Sequence, residues 1–449
     1  MLALVFVAAV NRRPLLYATG LYVDGGQPTV SPTLFEPAPA PPLDPPPGAG
    51  LIGVASAPTP GRVPQPTKLA QRINAVPLTA VGSGAWLVMN ADSGQALAEK
   101  NATAAMMPAS TLKVLTCLAA VEVVGADTRF TTKVVSPTAG SIVLVGGGDP
   151  MLKVNPVTTG YPRPASLSEL AAETARALRA SGRTSVTLGY DASLFTGPSW
   201  AATWPGTYRD QVAPISALWA DKGRVAGVGF SPDPARAAAD AFAAQLNAQG
   251  ITVRGVATPA KGSGTELAAV QSMPLGVLAQ EALIHSDNSY TEVILRQLAL
   301  GAGQPASFDG GITALNATLT TLKLTDPGAV FHDGSGLSRS NRVSARMLAQ
   351  AVRLITSEPK YRVLLDGFPV AGATGTLHAR FTDAQAAPAK GWARAKTGTL
   401  TGVSTLAGLT RTRDGAPVVF AFMANNSPDV WGAKVWADAM TGAVTGCGC

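Results

Sequence analysis

Apolar side chains cluster first at the extreme N-terminus, where MLALVFVAAV fills positions 1–10 and Arg12-Arg13 follow. Ten residues fall short of the roughly 20 that a membrane-crossing helix needs, and no basic stretch precedes them. Residues 1–26 are therefore expected to be a truncated export signal or membrane anchor. Residues 27–67 are dense in proline, alanine and glycine, the composition of a semi-rigid, extended linker. Such a spacer behind an apolar start holds a folded domain away from a membrane.

Folded sequence is expected from residue 68. Trp86-Leu87-Val88-Met89 and Gln95-Ala96-Leu97 flank the turn sequence Asn90-Ala91-Asp92-Ser93-Gly94, which predicts a hairpin. Pro108 and Ser110 open a helix predicted to run to Val124, with Gly125 as its stop. Between 132 and 266 the texture changes. Short apolar strands at 142–145 and 186–188 alternate with helical stretches. One of these begins with the capping-box sequence Ser166-Leu167-Ser168-Glu169, and another covers 233–246. This region reads as an inserted α+β domain. Further helices are expected over 274–299, on both sides of Ser286-Asp287-Asn288, and over 343–356 and 429–441. Strands are expected at 403–409 and 417–423, joined by Arg413-Asp414-Gly415.

Composition narrows the class. The 449 residues, 46% hydrophobic and 14% charged, suit a globular protein of two domains or of one large domain with an insertion. The net charge of +7 is scattered, without a basic cluster interleaved with aromatics, so no nucleic-acid partner is expected. Three histidines are too few for both a His-rich metal centre and a Ser-His triad. Cys117 lies in an apolar run and is expected to be a buried free thiol. Cys447-Gly448-Cys449 is too short and isolated for a zinc site. No metal and no cofactor are expected.

Three short signals carry chemistry, and they fall in one order: Ser110-Thr111-Leu112-Lys113, Ser286-Asp287-Asn288 and Lys396-Thr397-Gly398. That ordered set marks penicillin-binding proteins and serine β-lactamases. A Ser-x-x-Lys alone is expected on the order of once per chain of this length, and Ser357-Glu358-Pro359-Lys360 is a second match. It follows the second signal instead of preceding it, and is set aside.

A serine hydroxyl is a weak nucleophile until a base accepts its proton. Positions i and i+3 share a helix face, so Lys113 can stand beside Ser110, and burial would lower its pKa into the range of a usable base. The same residues also describe an ordinary N-cap serine and an exposed helical lysine. Ser286 offers a second hydroxyl to relay a proton to a leaving amine. Asn288 can hold both Lys113 and a substrate carbonyl, although Ser-Asp-Asn is also plain turn chemistry. Lys396-Thr397-Gly398-Thr399 fits a strand edge. There Lys396 and Thr397 would meet a substrate carboxylate, and Gly398 would let the substrate approach the backbone. An extended substrate would add to that edge as a strand, and the Ser110 and Thr399 N–H groups would form an oxyanion hole. Nothing in this scheme requires His285, His332 or His378.

With these motifs the chain resembles the low-molecular-mass class C penicillin-binding proteins over about residues 80 to 445. Pro108-Ala109-Ser110-Thr111-x-Lys113 matches the extended nucleophile motif. Gly146-Gly147-Gly148-Asp149-Pro150, Ala213-Pro214-Ile215-Ser216-Ala217-Leu218, Asp333-Gly334-Ser335-Gly336-Leu337-Ser338-Arg339 and Gly375-Thr376-Leu377 also match, and serve only as identifiers. The resemblance implies an α/β (α+β) serine β-lactamase/D,D-peptidase-like fold: a five-stranded antiparallel sheet flanked by helices, with a helical lobe. Its catalytic domain would be discontinuous, 68–131 and 267–446, around the insertion at 132–266. It further implies a serine D-Ala-D-Ala carboxypeptidase, with D,D-endopeptidase action also found in the family. Such an enzyme acts outside the cytoplasm, in periplasm or cell wall, on peptidoglycan stem peptides ending in D-Ala-D-Ala, and is inhibited by β-lactams that acylate Ser110.

Two other functions share the three signals. A serine β-lactamase of class A carries Glu-x-x-Leu-Asn after its second signal, whereas here Leu315-Asn316 lacks the glutamate. The 176 positions from Ser110 to Ser286 also exceed a compact β-lactamase. A catalytically silent wall-attachment module would have no need of intact Ser110, Lys113, Ser286 and Lys396.

Overall fold

Pro66 presets the backbone angle of a first helical turn and opens α1 (Pro66–Asn74), two residues before the expected start. The computed structural model describes residues 61–225 and 229–449. The expectations for 1–26 and for most of the 27–67 linker lie outside these residues.

The expected hairpin is β1 (Ser83–Asn90) and β2 (Ala96–Lys100). Period-two alternation along β1 sends Leu87 and Met89 into one core and Trp86 and Val88 into another. The nucleophile segment departs from the simple expectation. Ala109–Thr111 form a 3-10 turn, and α2 (Leu112–Val124) starts only after it, ending at Gly125 with φ 90°. Apolar almost all round, α2 is buried from Leu112 to Val121, as a helix at the centre of a core must be.

The chain then builds a second sheet from β3 (Thr131–Thr138), β4 (Ser141–Val145) and, after α3 (Leu167–Ala180), β5 (Ser185–Asp191). The capping box on α3 forms as its sequence predicts, with Ser166 and Glu169 satisfying each other's backbone N–H. A short ribbon of β6 (Arg224–Val225) and β7 (Gly229–Phe230) precedes α4 (Pro234–Ala248), β8 (Thr252–Pro259) and β9 (Thr265–Gln271). The sheet order is β8-β5-β4-β3-β9, parallel from β4 through β8 and antiparallel around β3. Because β9 pairs with β3 as far as Gln271, this sheet extends five residues past 266.

Helices α5 (Leu275–Ile284), α6 (Asn288–Gly301), α7 (Phe308–Thr321) and α8 (Ala345–Ser357) pack with α2 in one apolar core. The last strands, β10 (Arg394–Leu400), β11 (Val403–Arg411) and β12 (Pro417–Asn425), return to the first sheet. Its order is β10-β11-β12-β1-β2, antiparallel throughout. Helix α9 (Val430–Thr445) covers its far face with α1. This is the expected five-stranded antiparallel sheet with helices on both sides, a helical lobe and an α+β insertion.

Candidate active site

The nucleophile turn is held under constraint. Ala109 takes a left-handed backbone at φ 47°, which costs free energy in a non-glycine residue. Thr111 within the turn, together with Thr405, Gly336 and Gly398 from distant segments, holds it there. Thr111 and Thr405 hydroxyls both donate to the Pro108 carbonyl at 2.7 Å. A Cβ on Gly336 would lie 1.9 Å from the Ala109 carbonyl oxygen. Gly398 meets the same turn: its Cβ would lie 2.1 Å from Thr405 Oγ1, 2.7 Å from the Pro108 oxygen and 3.0 Å from Ser110 N. The glycine is thus required by the turn that carries Ser110, whatever else approaches it. Gly398→Ala is expected to cost about 1–3 kcal/mol of stability through overpacking and to slow penicillin acylation. Thermal unfolding and labelling rates check this, and a variant matching wild type in both would contradict it.

Lys113 is fully buried. Its Nζ lies 3.0 Å from Ser110 Oγ and donates to Asn288 Oδ1 and the Ser335 carbonyl, each at 2.7 Å. Burial lowers its pKa to about 8, against the opposing charges of Asp333, Glu292 and Asp287. A neutral amine keeps two N–H groups, and both acceptors facing them are oxygens that cannot donate. The lone pair is left for the Ser110 hydroxyl.

The Ser335 carbonyl has its own support. Glu292 on α6 accepts from the Gly334 and Ser335 N–H groups at 3.0 and 2.7 Å, and the Thr116 hydroxyl donates to the Gly334 carbonyl at 2.8 Å. Asp333 accepts from the Gly336 and Ser338 N–H groups and from the Asn341 and Trp204 side chains. Burial, with the charge of Asp333 adding to it, pushes the Glu292 carboxyl up to about 7. Burial pushes the Cys117 thiol, one turn beyond Lys113, up to about 12. It is the free, buried thiol expected.

Ser286 also has a left-handed backbone, at φ 55°. Lys396, fully buried in β10, donates to Ser286 Oγ at 2.8 Å and to the Thr397 carbonyl at 2.7 Å. Burial, reinforced by the nearby charge of Lys113, holds its pKa well below the ordinary lysine value. Thr397 Oγ1 lies 2.9 Å from Thr376 Oγ1. Asn288 donates from Nδ2 to the Gln211 carbonyl at 3.0 Å, so one of its two amide hydrogens is committed within the protein.

The predicted site residues thus come together: Lys113 meets Ser110 and Asn288, Lys396 meets Ser286 and the Thr397 carbonyl, and Gly398 lies against Ser110 N, with Thr399 next along β10. Ser110, Ser286, Asn288 and Thr399 keep some exposure, whereas Lys113, Lys396 and Gly398 are buried and Thr397 nearly so. The rival Ser-x-x-Lys falls apart. Ser357 ends α8, and Lys360 pairs with Glu122 at 2.6 Å on the surface. His285 is exposed and faces Glu281 at 3.5 Å. Sequence reasoning assigned no chemistry to Thr376, Glu292 or the Ser335 and Gln211 carbonyls. The first three lie in or against segments recognisable only as identifiers, and a backbone carbonyl has no side-chain signal to read.

Residues 67–228 and 229–445 match the D-Ala-D-Ala carboxypeptidase 3 (S13) family. The chain belongs to that family. It is 36% identical over 429 residues to the carboxypeptidase DacB of Mycolicibacterium smegmatis, covering 92% of this chain and 91% of the relative. A carboxypeptidase of Mycobacterium tuberculosis is 36% identical over 421 residues, with 89% and 90% covered. Penicillin-binding protein 4 of Haemophilus influenzae shares the fold, with a TM-score of 0.66 at 21% identity, over 85% of this chain and 98% of that one. S13 membership makes the protein a serine-type D-Ala-D-Ala carboxypeptidase, as the resemblance implied.

Proposed function

We propose that this S13 enzyme trims peptidoglycan stem peptides through an acyl-enzyme on Ser110, and that the same chemistry cleaves D,D cross-links. The observation that carries this reading is the placement of Lys113 Nζ, 3.0 Å from Ser110 Oγ and 2.7 Å from each of two acceptor oxygens, Asn288 Oδ1 and the Ser335 carbonyl. A neutral amine held by those two acceptors has its lone pair left for Ser110.

Ser110 attacks the carbonyl of the penultimate D-Ala while Lys113 takes its proton. The oxyanion lies between the N–H groups of Ser110 and Thr399. Ser286, oriented by Lys396, relays a proton to the leaving amine as the amide bond breaks. Water then attacks the ester and releases the shortened peptide. The second amide hydrogen of Asn288 is left for the substrate carbonyl. Lys396 is too deeply placed to reach far into the cleft, so the hydroxyls of Thr376 and Thr397 take the terminal carboxylate. The lysine beneath supplies positive potential, and an arriving carboxylate stabilises its charged form. β-Lactams acylate the same serine.

The discontinuous catalytic domain, 68–131 and 267–446, with its insertion at 132–266, belongs to this proposal; the two separate sheets support it. Peptidoglycan lies outside the cytoplasmic membrane, so the enzyme works there. An association of the apolar N-terminus with the membrane rests on sequence alone. Among the described residues no helix is long and apolar enough to cross a bilayer.

Mass spectrometry of purified muropeptides tests the function. Monomers ending in D-Ala-D-Ala are expected to lose one alanine, and cross-linked dimers to separate into monomers. Benzylpenicillin is expected to leave a long-lived adduct; its rapid turnover without effect on muropeptides would overturn the assignment.

A further inference from the structure

Three consecutive residues at the start of α6 are each held by one stretch of the inserted module. Lys222 Nζ forms an ion pair with Asp287 Oδ2. The Gln211 carbonyl accepts from Asn288 Nδ2 at 3.0 Å, and the Ala213 N–H donates to Ser289 Oγ at 2.9 Å. The Lys222 ammonium also stands over the Tyr290 ring, 4.8 Å from its centroid.

These contacts decide which way the Asn288 amide points. Its oxygen accepts from Lys113 and its nitrogen donates to Gln211. A flipped amide would set an oxygen against the Gln211 carbonyl, losing that bond, and an N–H group against Lys113, where it would compete with Ser110 for the neutral amine's lone pair. The inserted module thereby selects the orientation that presents an acceptor to the catalytic base. The hold depends on register. Asp287 uses Oδ1 to cap α6, accepting from the Tyr290 N–H at 2.9 Å, and has Oδ2 left for Lys222. Asp287 is only 12% exposed and Lys222 31%, so the pair is shielded more than a surface ion pair. Both flanking backbones are left-handed, Lys222 at φ 60° and Ser286 at φ 55°. Such conformations persist where surrounding contacts over-determine them.

We propose that Lys222 is a positioning residue for catalysis: through Asp287 it locks the inserted module onto the Ser286-Asp287-Asn288 loop and so orients Asn288 towards Lys113. The proposal rests on the Ser110 acyl-enzyme reading. The module at 132–266 then completes the active site from outside the sheet that carries Lys396.

The test is stopped-flow acylation of the full chain by a fluorescent penicillin, with Lys222→Met, Lys222→Arg and Asp287→Asn. Asn retains the helix cap. Lys222→Met is expected to lower the saturating acylation rate about tenfold to a hundredfold, the scale of a small misplacement of a catalytic group. Penicillin affinity should stay close to wild type, melting temperature should shift little, and Lys222→Arg should restore most of the rate. In the Asp287→Asn background, Lys222→Met should have little further effect. A wild-type rate for Lys222→Met, equal losses in the Met and Arg variants, a collapse in melting temperature, or an undiminished loss in the Asp287→Asn background would each overturn the proposal. An unlabelled wild-type enzyme, or one labelled away from Ser110, would instead overturn the acyl-enzyme reading beneath it.

Discussion

Ser110→Ala is expected to abolish covalent labelling by penicillin and to lower D-Ala release by about six orders of magnitude, the scale of loss when an activated serine is removed. Other candidate nucleophiles are committed elsewhere. The Ser286 hydroxyl faces Lys396 instead of Lys113. Cys117 is buried, with its thiol held protonated by a pKa of about 12. Ser110 is only partly buried, and losing its hydroxyl leaves Lys113 with two acceptors, so the fold should survive within about 1 kcal/mol. Intact-mass measurement after incubation with benzylpenicillin decides the matter. An adduct on the alanine variant, mapped to another residue, would remove Ser110 from the mechanism.

Lys113 gives the second large effect, and it carries a pH signature. In the proposed mechanism the base is the neutral amine, and burial lowers the lysine pKa to about 8. Acylation efficiency should therefore rise about tenfold per pH unit below that value and level off above it. At pH 7 about one molecule in ten carries the reactive form. Lys113→Arg keeps a permanent positive charge, and should lose about a thousandfold or more with no rise towards high pH. The profile is best measured as the second-order acylation rate of a penicillin without titrating groups in this range. A flat profile from pH 6 to 9, or an arginine variant that retains activity, would exclude Lys113 as the base.

The sequence spoke most clearly where local physics decides. The hairpin at 83–100, the capping box at Ser166, the helices around Ser286 and the closing strands follow from period, cap and turn chemistry within a dozen residues. The nucleophile turn was legible only in part. The i, i+3 pairing of Ser110 and Lys113 survives, yet the turn is 3-10 with a left-handed Ala109. That geometry is imposed by Thr405, Gly336 and Gly398, which are distant in sequence. Gly398 shows the same limit: its sequence position at a strand edge pointed to an approaching substrate, whereas the nearest atoms belong to the enzyme itself.

By itself the sequence determined which side chains can do chemistry and in what order they occur. Ser110, Lys113, Ser286, Asn288 and Lys396 carry the right functional groups in short motifs, and the glycine-rich segments marked the family. Only the tertiary structure decided their state. The Lys113 pKa falls because packing strips water from its ammonium, and its lone pair is aimed because Asn288 and Ser335 claim the other hydrogens. Those partners come from segments 175 and 222 residues away in sequence. Desolvation and hydrogen-bond geometry are properties of a packed interior, and no local pattern of residues encodes them.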